Sequence, residues 1–436
     1  MQEKHNKTVN PSRTLSGDIT VPGDKSVSHR SVMLSAIADG DSIIKGFLQS
    51  EDCVNTLKAV GKMGVKSQIT GDVINISGCS GQMQKPENIL DMGNSGTGMR
   101  LMAGLLATQD FSADMTGDAS LRSRPMKRIK EPLDLMGAKV ELMGPNGCAP
   151  VRITGGNLKA INYKLPVASA QVKSCVLFAG LMADGNTVVT EPRATRDHTE
   201  LLLKAMNAPI SVNGLEIRLK GSCGRSPHLK AGEWLIPGDI SSAAFWMVAA
   251  ACLPGSDVYI RNVGLNPRRS AIIDVLLRMG ADIEVTPSNS KMLLEPCGDV
   301  RIRGTSLKAT EVEGAEIPNI IDEIPILSVA ASLATGSTVI RDAAELRVKE
   351  SDRIATMVKN LSSFGVSVEE KNDGMVIHGG AKIRTGKSVD SHGDHRVAMS
   401  MAILTLFADD LCVINDTACV ATSYPTFWDH LKTLTN

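Results

Sequence analysis

The most constraining feature of the sequence is a repeat with a period of roughly 70 to 80 residues. A short polar segment precedes an Ala-rich apolar run six times, and these segments begin at Gly23, Gly93, Val167, Gly238, Ile321 and His392. Several apolar runs end at a glycine followed by an alternating β-branched stretch, as in AIADGDSIIKGF and SLATGSTVIRDA. This pattern indicates a helix that stops before a strand. A repeat of this kind decides the fold before any single motif does.

A second helix and a second strand complete each repeat. Stretches such as KMGVKSQI, LMGAKVEL and RMGADIEV place a glycine turn between an apolar helical run and a strand. The helices carry Leu, Val, Met and Ile at spacings of three and four, so one face of each is buried. Ala-rich helices before glycine turns also occur in α/β proteins without repeats, but six polar segments in near-register favour a true repeat.

The six repeats divide into two groups of three and predict two domains. The chain has 436 residues, enough for two domains of roughly 150 to 200 residues each. The strand before Pro22 and the segment IPGDIS near Gly238 are the places where the chain would cross between domains. We therefore expect one domain at residues 22–239, a second at residues 1–21 plus 240–436, and an active-site cleft between them.

The composition argues against several classes of protein. The 47 Lys and Arg residues balance 47 Asp and Glu residues, and aromatic residues make up only 3% of the chain, unlike a nucleic-acid binder. The longest apolar stretch, Ala243 to Leu253, is too short to span a membrane. The nine cysteines are scattered without a CxxC pair, which argues against a disulfide scaffold or a zinc knuckle. We expect a cytoplasmic protein without nucleic-acid or membrane partners.

The cations gather where the repeats begin. These segments would lie at helix N-termini, whose N–H groups and dipole favour anions. The segments contain Lys25, Ser26, Arg30, Arg100, Ser169, Gln171, Lys173 and Arg396, and nearby loops contain Arg122, Arg124, Arg193, Arg196, Lys349 and Arg353. Any one of these could be an ordinary solvated charge. Taken together, arginines beside Ser, Thr and Gly suit phosphate and carboxylate ligands, so a neutral chain could form a strongly positive cleft.

Two carboxylates lie among these cations. Asp322 stands in one polar segment and Glu350 follows Lys349 directly, so both could accept or donate protons beside an anionic substrate. A helix-capping or first-turn role is an equally good interpretation for both, and a better one for Glu323. The histidines do not form a metal-binding pattern, and GNSGTG lacks the spacing of a dinucleotide site. We therefore expect no metal.

Seven segments in order carry a resemblance to a known family. The segments GDKSVSHR, GNSGTGMR, SAQVKS, RATRDHTE, ELRVKESDR, GDHRVAMS and ATSYPTF resemble those of 5-enolpyruvylshikimate-3-phosphate (EPSP) synthases over nearly the whole chain. The resemblance implies a two-domain inside-out α/β barrel with three βαβαββ units per domain. It implies transfer of the enolpyruvyl group of phosphoenolpyruvate to the 5-hydroxyl of shikimate 3-phosphate, through a tetrahedral intermediate, with release of phosphate. This reaction of aromatic amino-acid biosynthesis needs no cofactor, and we expect a monomer.

The resemblance also implies roles for individual residues. Those expected to bind shikimate 3-phosphate are Lys25, Ser26, Arg30, Ser169, Ala170, Gln171, Arg196, Asp322 and Lys349. Those expected to bind phosphoenolpyruvate are Lys25, Gly96, Arg124, Gln171, Arg353 and Arg396. Asp322 resembles the base that takes the 5-hydroxyl proton. Glu350, together with Lys25, is the candidate for proton transfer at the methylene carbon.

Some positions depart from the best-known branch of the family. Thr422 stands where that branch has a lysine that contacts phosphoenolpyruvate, Ala170 replaces a serine, and Glu345 replaces an asparagine. These positions are similar to the second class of the family, whose members are often glyphosate-tolerant. Gly96 is retained where some tolerant members carry alanine, so the response to glyphosate stays open.

Two other functions compete with this one. A UDP-N-acetylglucosamine enolpyruvyl transferase shares the fold and the donor, but it uses a loop cysteine where this chain has LRSRPMKR. A non-catalytic anion-binding protein on the same fold is the other alternative.

Overall fold

The computed structural model describes residues 5–288, 295–380, 382–385 and 388–435. The chain divides into two compact units. The inserted unit comprises Gly23–Ile236 together with Glu295, and the terminal unit comprises the described parts of Met1–Pro22, Pro237–Asn289 and Pro296–Asn436. Each unit has its own apolar core.

Helices and strands are numbered in chain order. The described α-helices are α1 (Lys25–Ala36), α2 (Glu51–Lys62), α3 (Gly96–Ala107), α4 (Lys127–Met136), α5 (Ala170–Gly180), α6 (His198–Ala205), α7 (Ile240–Cys252), α8 (Ala271–Arg278), α9 (Ile317–Ile320), α10 (Ile324–Leu333), α11 (Arg353–Ser363), α12 (His395–Thr405) and α13 (Phe427–Thr435). The described strands are β1 (Lys7–Val9), β2 (Ser16–Thr20), β3 (Asp41–Lys45), β4 (Lys66–Thr70), β5 (Val73–Ser77), β6 (Leu90–Asp91), β7 (Ser112–Thr116), β8 (Lys139–Leu142), β9 (Val151–Thr154), β10 (Asn162–Lys164), β11 (Asn186–Thr190), β12 (Ile210–Asn213), β13 (Glu216–Lys220), β14 (Glu233–Leu235), β15 (Asp257–Gly264), β16 (Asp282–Pro287), β17 (Cys297–Arg303), β18 (Glu311–Val312), β19 (Ser337–Ile340), β20 (Ser367–Lys371), β21 (Gly374–His378), β22 (Ser388–Asp390) and β23 (Cys412–Asn415).

Five of the six small sheets within the described ranges share one strand order, and the sixth, β1-β23-β22, has three strands. In the sheet β6-β7-β9-β8, the parallel strands β6 and β7 are joined by α3, and β9 runs antiparallel to both β7 and β8. Helix α4 connects β7 to β8. The same order occurs in β10-β11-β13-β12 and in β18-β19-β21-β20. This βαβαββ unit is the repeat that the sequence predicts.

Two sheets take their first strand from a distant part of the chain. Strand β14 pairs in parallel with β3, and β2 pairs in parallel with β15. At the start of the inserted unit, a Cβ on Gly23 would lie 1.8 Å from the carbonyl oxygen of Gly46. Only glycine therefore fits at residue 23, where the backbone passes directly beside the end of β3.

The first helix of a repeat is buried on nearly all sides. Helices α1, α3 and α5 in the inserted unit, and α7, α10 and α12 in the terminal unit, are buried beyond their first turns. Small residues allow close packing, since a Cβ on Gly104 of α3 would lie 2.2 Å from the carbonyl oxygen of Cys175 on α5. The amphipathic helices α2, α4, α8 and α11 bury only one face. No helix within the described ranges has the length and apolar character needed to cross a membrane.

Candidate active site

The polar segments cap the buried helices. Because these helix ends lie among protein atoms, side chains must satisfy their first N–H groups. The side chains of Asp24, Ser95, Ser169, Asp239 and Asp394 each accept a hydrogen bond from a first-turn backbone N–H, on α1, α3, α5, α7 and α12 respectively. The polar segments predicted from the sequence therefore supply the N-terminal caps of five of the six buried helices.

Arg30 is the buried cation of α1 in the inserted unit. Its guanidinium donates to the Ser26 carbonyl at 2.9 Å, the Ser174 hydroxyl at 2.8 Å and the Thr199 hydroxyl at 2.8 Å. Burial, with a smaller contribution from Arg196 and against the opposing effect of nearby carboxylates, lowers the pKa of Arg30 to about 10. Arg30 thus stays charged at neutral pH, with Arg196 close enough to interact with it.

A second group of cations lies at the N-terminus of α3. Arg100 donates to the Gln171 side-chain oxygen at 2.6 Å, and Gln171 donates to the Thr97 hydroxyl at 2.9 Å. Arg124 donates to the side-chain oxygen of Asn94 at 2.7 Å. A Cβ on Gly96 would lie 3.1 Å from Arg100 Nη1 and 3.4 Å from Arg124 Nη1. The two guanidinium groups therefore approach the bare backbone of Gly96.

Lys25 and His29 complete the start of α1. Lys25 forms an ion pair with Asp52, whose side chain is almost fully buried. His29 is buried between the Thr56 hydroxyl at 2.8 Å and the Ser95 hydroxyl at 3.1 Å. Burial, and then the charges of Lys25 and Arg30, hold the pKa of His29 well below its ordinary value. His29 is therefore neutral at physiological pH.

Lys173 departs from the sequence-based expectation. The sequence places Lys173 among the cations that would face an anionic ligand, but its side chain is 0% exposed. Its ammonium lies 3.0 Å from Glu191 and 2.7 Å from Glu200. The position faces the interior because it follows Gln171 by two residues on α5, and helical rotation turns it away from the polar end. Lys173 is thus a buried structural cation.

Arg353 is the centre of the cluster in the terminal unit. It lies at the start of α11, is 1% exposed, and contacts Asp394 at 2.8 Å, Glu350 at 2.6 Å and Asp322 at 3.3 Å. Burial opposes its charge, but the three carboxylates together hold its pKa above the ordinary value. Burial also acts against the charge of Asp394, yet Arg353 keeps the pKa of that carboxyl below the ordinary value.

Asp322 is partly exposed, unlike the Asp394 carboxylate that also contacts Arg353. Its side chain is 13% exposed, compared with 0% for Asp394, and it also lies 3.6 Å from the ammonium of Lys349. Arg396 donates to its backbone carbonyl at 3.0 Å. The described terminal unit thus brings together all five residues predicted there: Asp322, Lys349, Glu350, Arg353 and Arg396.

Sequence reasoning missed Arg269, which lies with Glu323 beneath Arg396. Glu323 is fully buried and lies 3.0 Å from Arg269 and 3.7 Å from Arg396. Arg269 also donates to the Ser241 hydroxyl at 2.6 Å. The sequence favours a helix-capping or first-turn role for Glu323, but its side chain makes no capping hydrogen bond and pairs with Arg269 instead. Arg269 stands in NPRRSA with no signal that distinguishes it from a surface arginine.

The ATSYPTF segment serves packing rather than charge. Thr422 is buried, and its hydroxyl donates to the carbonyl of Cys419 at 2.7 Å. Tyr424 accepts a hydrogen bond from the indole of Trp246 at 2.7 Å, and the ring of Phe427 stacks on Trp246. The segment therefore fixes the start of α13 against α7.

The described part of the chain shows no metal-binding cluster, and burial holds several of its thiols protonated. Among those residues, no group of three or more His, Cys, Asp and Glu side chains could hold a metal ion. Burial raises the pKa of Cys175, Cys252 and Cys419 to about 12. These three thiols are therefore poor nucleophiles at neutral pH.

Comparison with known proteins assigns the chain to a family. The sequence pattern of EPSP synthase (3-phosphoshikimate 1-carboxyvinyltransferase) matches residues 9–431. A protein of Akkermansia muciniphila named 3-phosphoshikimate 1-carboxyvinyltransferase is 49% identical over 423 residues, which cover 95% of this chain and 96% of that protein. The chain belongs to the EPSP synthase family. A relative of the same name from Desulforamulus reducens is also 49% identical, covering 97% of this chain and 98% of its own.

Solved structures agree with this membership of the EPSP synthase family. The EPSP synthase of Acinetobacter baumannii superposes with a TM-score of 0.86 at 44% identity, covering 99% of this chain and 98% of that one. The enolpyruvyl transferase NikO of Streptomyces tendae superposes with a TM-score of 0.80 at 16% identity, covering 98% and 96% of the two chains, which shows the fold alone. The predicted two-domain enolpyruvyl transferase fold is confirmed.

Proposed function

We propose that this chain transfers the enolpyruvyl group of phosphoenolpyruvate to the 5-hydroxyl of shikimate 3-phosphate and releases inorganic phosphate. The observation that carries this function is the Arg353 cluster, which holds Asp322 and Glu350 beside three cations. A carboxylate acid and base amid fixed positive charge is what an addition to an anionic enol ester requires. The names of relatives at 49% identity support the same reaction.

Shikimate 3-phosphate is assigned first to the inserted unit. Its phosphate would interact with the positive charge around Arg30 and Arg196 and with the hydroxyls of Ser26 and Ser169, which stand at the N-termini of α1 and α5. Ala170 would contact the substrate through its backbone and Gln171 through its amide. Helix N-termini and guanidinium groups are both favourable surroundings for phosphate. From the terminal unit, Lys349 and Asp322 are assigned to the ring hydroxyls.

Phosphoenolpyruvate is assigned to arginines of both units. Arg124 beside Gly96, and Arg353 with Arg396, would neutralise its phosphate and carboxylate, while Lys25 and Gln171 would contact both substrates. We thus propose that the clusters of the two units serve one pair of substrates. Because both substrates are anions, much of the rate enhancement would come from positioning and charge neutralisation.

The proposed chemistry is an addition followed by an elimination. In the addition, Asp322 takes the 5-hydroxyl proton, the freed oxygen bonds to C2 of phosphoenolpyruvate, and Glu350 protonates the methylene carbon, which becomes a methyl group. In the elimination, the bond from C2 to the phosphate oxygen breaks, and phosphate leaves with the electron pair and takes up the proton that Asp322 accepted from the 5-hydroxyl. Glu350 then removes a methyl proton as the double bond re-forms. Lys25 assists the proton transfer at this carbon.

All proposed site residues come from a single chain, so no second copy is needed, and we propose a monomer that works in the cytoplasm. A UDP-N-acetylglucosamine enolpyruvyl transferase is the less favoured alternative, because such enzymes use a loop cysteine where this chain has LRSRPMKR. A monomer is tested by the mass of the protein during size-exclusion chromatography with light scattering.

The function is tested by the release of phosphate from phosphoenolpyruvate with each acceptor offered separately. Release is expected with shikimate 3-phosphate and not with UDP-N-acetylglucosamine; release with the nucleotide sugar alone, or with neither, contradicts the proposal. Asp322→Asn should retain shikimate 3-phosphate binding but lower turnover by about 100-fold or more, as is typical when an acid–base group is lost. The control is Asp274→Asn on the exposed side of α8, which should keep wild-type turnover.

A further inference from the structure

The buried group beneath Arg396 connects three helices of the terminal unit. Glu323 precedes α10, Ser241 lies in the first turn of α7, and Arg396 lies in the first turn of α12. The Ser241 hydroxyl donates to Glu323 and accepts from Arg269 at 2.6 Å and from Arg396 at 3.3 Å. Arg269, just before α8, is the fourth member of this group.

The charges in this group are unequal in their access to solvent. Glu323 is 0% exposed and Arg269 is 3% exposed, whereas Arg396 is 13% exposed. Arg269 lies 3.0 Å from the Glu323 oxygen, and Arg396 lies 3.7 Å from the same atom. The closer and more deeply buried arginine therefore carries most of the pairing with Glu323.

Without Arg269, the buried carboxylate of Glu323 would have Arg396 as its nearest remaining cation among the described contacts. Asp239, which caps α7 and lies 3.3 Å from Arg269, would add a second negative charge at the same place. A buried charge that loses its partner is strongly unfavourable. Arg396 would then be drawn towards Glu323 and away from an incoming anion.

We propose that Arg269 is a positioning residue that neutralises Glu323 and thereby leaves the charge of Arg396 available to phosphoenolpyruvate. This inference rests on the proposed function, in which Arg396 binds that substrate. Arg269 does not touch the substrate in this account. It acts by satisfying Glu323 and Ser241, which fixes the guanidinium of Arg396 over the N-termini of α7 and α10.

Loss of Arg269 should change one kinetic constant. Arg269→Met should raise the KM for phosphoenolpyruvate by about tenfold, equivalent to about 1.4 kcal/mol. The KM for shikimate 3-phosphate and kcat should change little, because the assigned phosphate site lies in the other unit and the proton-transfer groups are intact. A purely structural role would instead lower stability and leave the kinetics of the folded fraction unchanged.

A second substitution separates charge competition from lost packing. Adding Glu323→Gln to Arg269→Met removes the carboxylate that competes for Arg396, so the double variant should recover most of the affinity for phosphoenolpyruvate. Glu323→Gln alone should keep a near-wild-type KM for phosphoenolpyruvate. Arg278→Met is the matched control. Arg278 is the last residue of α8, the helix that Arg269 precedes, and it pairs with Glu316 at an exposed site.

The experiment combines steady-state kinetics, thermal melting and equilibrium titration with phosphoenolpyruvate. An unchanged KM in folded Arg269→Met, or a double variant that binds as poorly as the single one, overturns the proposal. If Arg269→Met does not fold, a raised KM in Glu323→Gln overturns it and a retained KM supports it. If the wild-type protein binds phosphoenolpyruvate but shows no turnover, the proposed function is rejected and the titrations still test the role of Arg269. If the wild-type protein shows neither binding nor turnover, the proposed function and the role of Arg269 are both rejected.

Discussion

Gly96 shows how a single missing methyl group shapes the predicted phosphoenolpyruvate site. An added Cβ would lie 3.1 Å from Arg100 Nη1 and 3.4 Å from Arg124 Nη1. The distance to Arg100 is shorter than an ordinary van der Waals contact. Gly96→Ala should therefore displace these guanidinium groups. It should weaken the binding of phosphoenolpyruvate by about 1 kcal/mol or more, the usual scale for overpacking. The measurement is the KM for each substrate, and only that for phosphoenolpyruvate should rise.

The control for Gly96→Ala is Gly61→Ala on α2. A Cβ on Gly61 meets no atom within 4 Å, so this variant should keep wild-type kinetics and gain a little helix stability. An equal rise in both KM values in Gly96→Ala, or a change in Gly61→Ala as well, would contradict the local steric explanation.

Lys173 illustrates a residue whose type is visible in the sequence but whose role is not. Lys25 and Lys173 both stand in polar segments, yet one is partly exposed beside Asp52 and the other is fully buried between Glu191 and Glu200. Burial raises the pKa of Glu200, and the charge of Lys173 counteracts that shift. Only the packing of α5 against α6 and the loop after β11 decides between the two roles.

Lys173→Met should destabilise the protein strongly. It would remove the ammonium that contacts both buried carboxylates, and breaking a buried ion pair typically costs about 3 to 5 kcal/mol. Urea unfolding measures the effect, with the exposed Lys139→Met as control. The control should lose no more than about 0.5 kcal/mol of its free energy of unfolding. An equally small loss in Lys173→Met would show that the buried ion pairs of Lys173 do not stabilise the protein.

At the scale of elements, His29 couples α1 to the start of α3. It bonds to Thr56 on α2 and to Ser95, the cap of α3, and it is neutral because burial lowers its pKa. A group with a lowered pKa in the folded state contributes stability above its unfolded pKa of 6.5 and loses it as the pH falls. The loss therefore begins below about pH 6.5.

His29→Gln should reduce this dependence on pH. Between pH 7.5 and pH 5.5 the wild type should lose about 1.4 kcal/mol through this residue, since each pH unit below 6.5 costs about that amount. The free energy of unfolding of both proteins at the two pH values measures the effect. An equal loss in wild type and variant would mean that folding does not lower the pKa of His29.

The sequence predicts elements well where the pattern is local. Six polar segments followed by apolar runs correctly place α1, α3, α5, α7, α10 and α12, because caps and helical periodicity are local signals. The two-residue strands β6 and β18 are too short to give a pattern, and the pairing of β14 with β3 joins segments about 190 residues apart. Such non-local pairing leaves no signal in either segment alone.

At the scale of the whole molecule, zero net charge conceals an ordered distribution of charge. Cations gather at the helix N-termini of each unit, while exposed ion pairs such as Arg301–Asp257 and Arg152–Asp114 cover the sheets. The sequence predicts which residues carry charge and the family resemblance predicts their roles. The sequence does not predict which charged residues are buried, as Arg269 and Lys173 are, because burial depends on tertiary packing.

The central claim is that this chain joins its two substrates by addition and elimination, with proton exchange at the methylene carbon. The most direct test is to incubate the protein with phosphoenolpyruvate and shikimate 3-phosphate in deuterated water and analyse the product by mass spectrometry and proton NMR. We predict enolpyruvylshikimate 3-phosphate with deuterium in its vinyl group, because the transient methyl group takes one hydrogen from solvent. The absence of this product, or a product whose vinyl group carries no deuterium, would contradict the account.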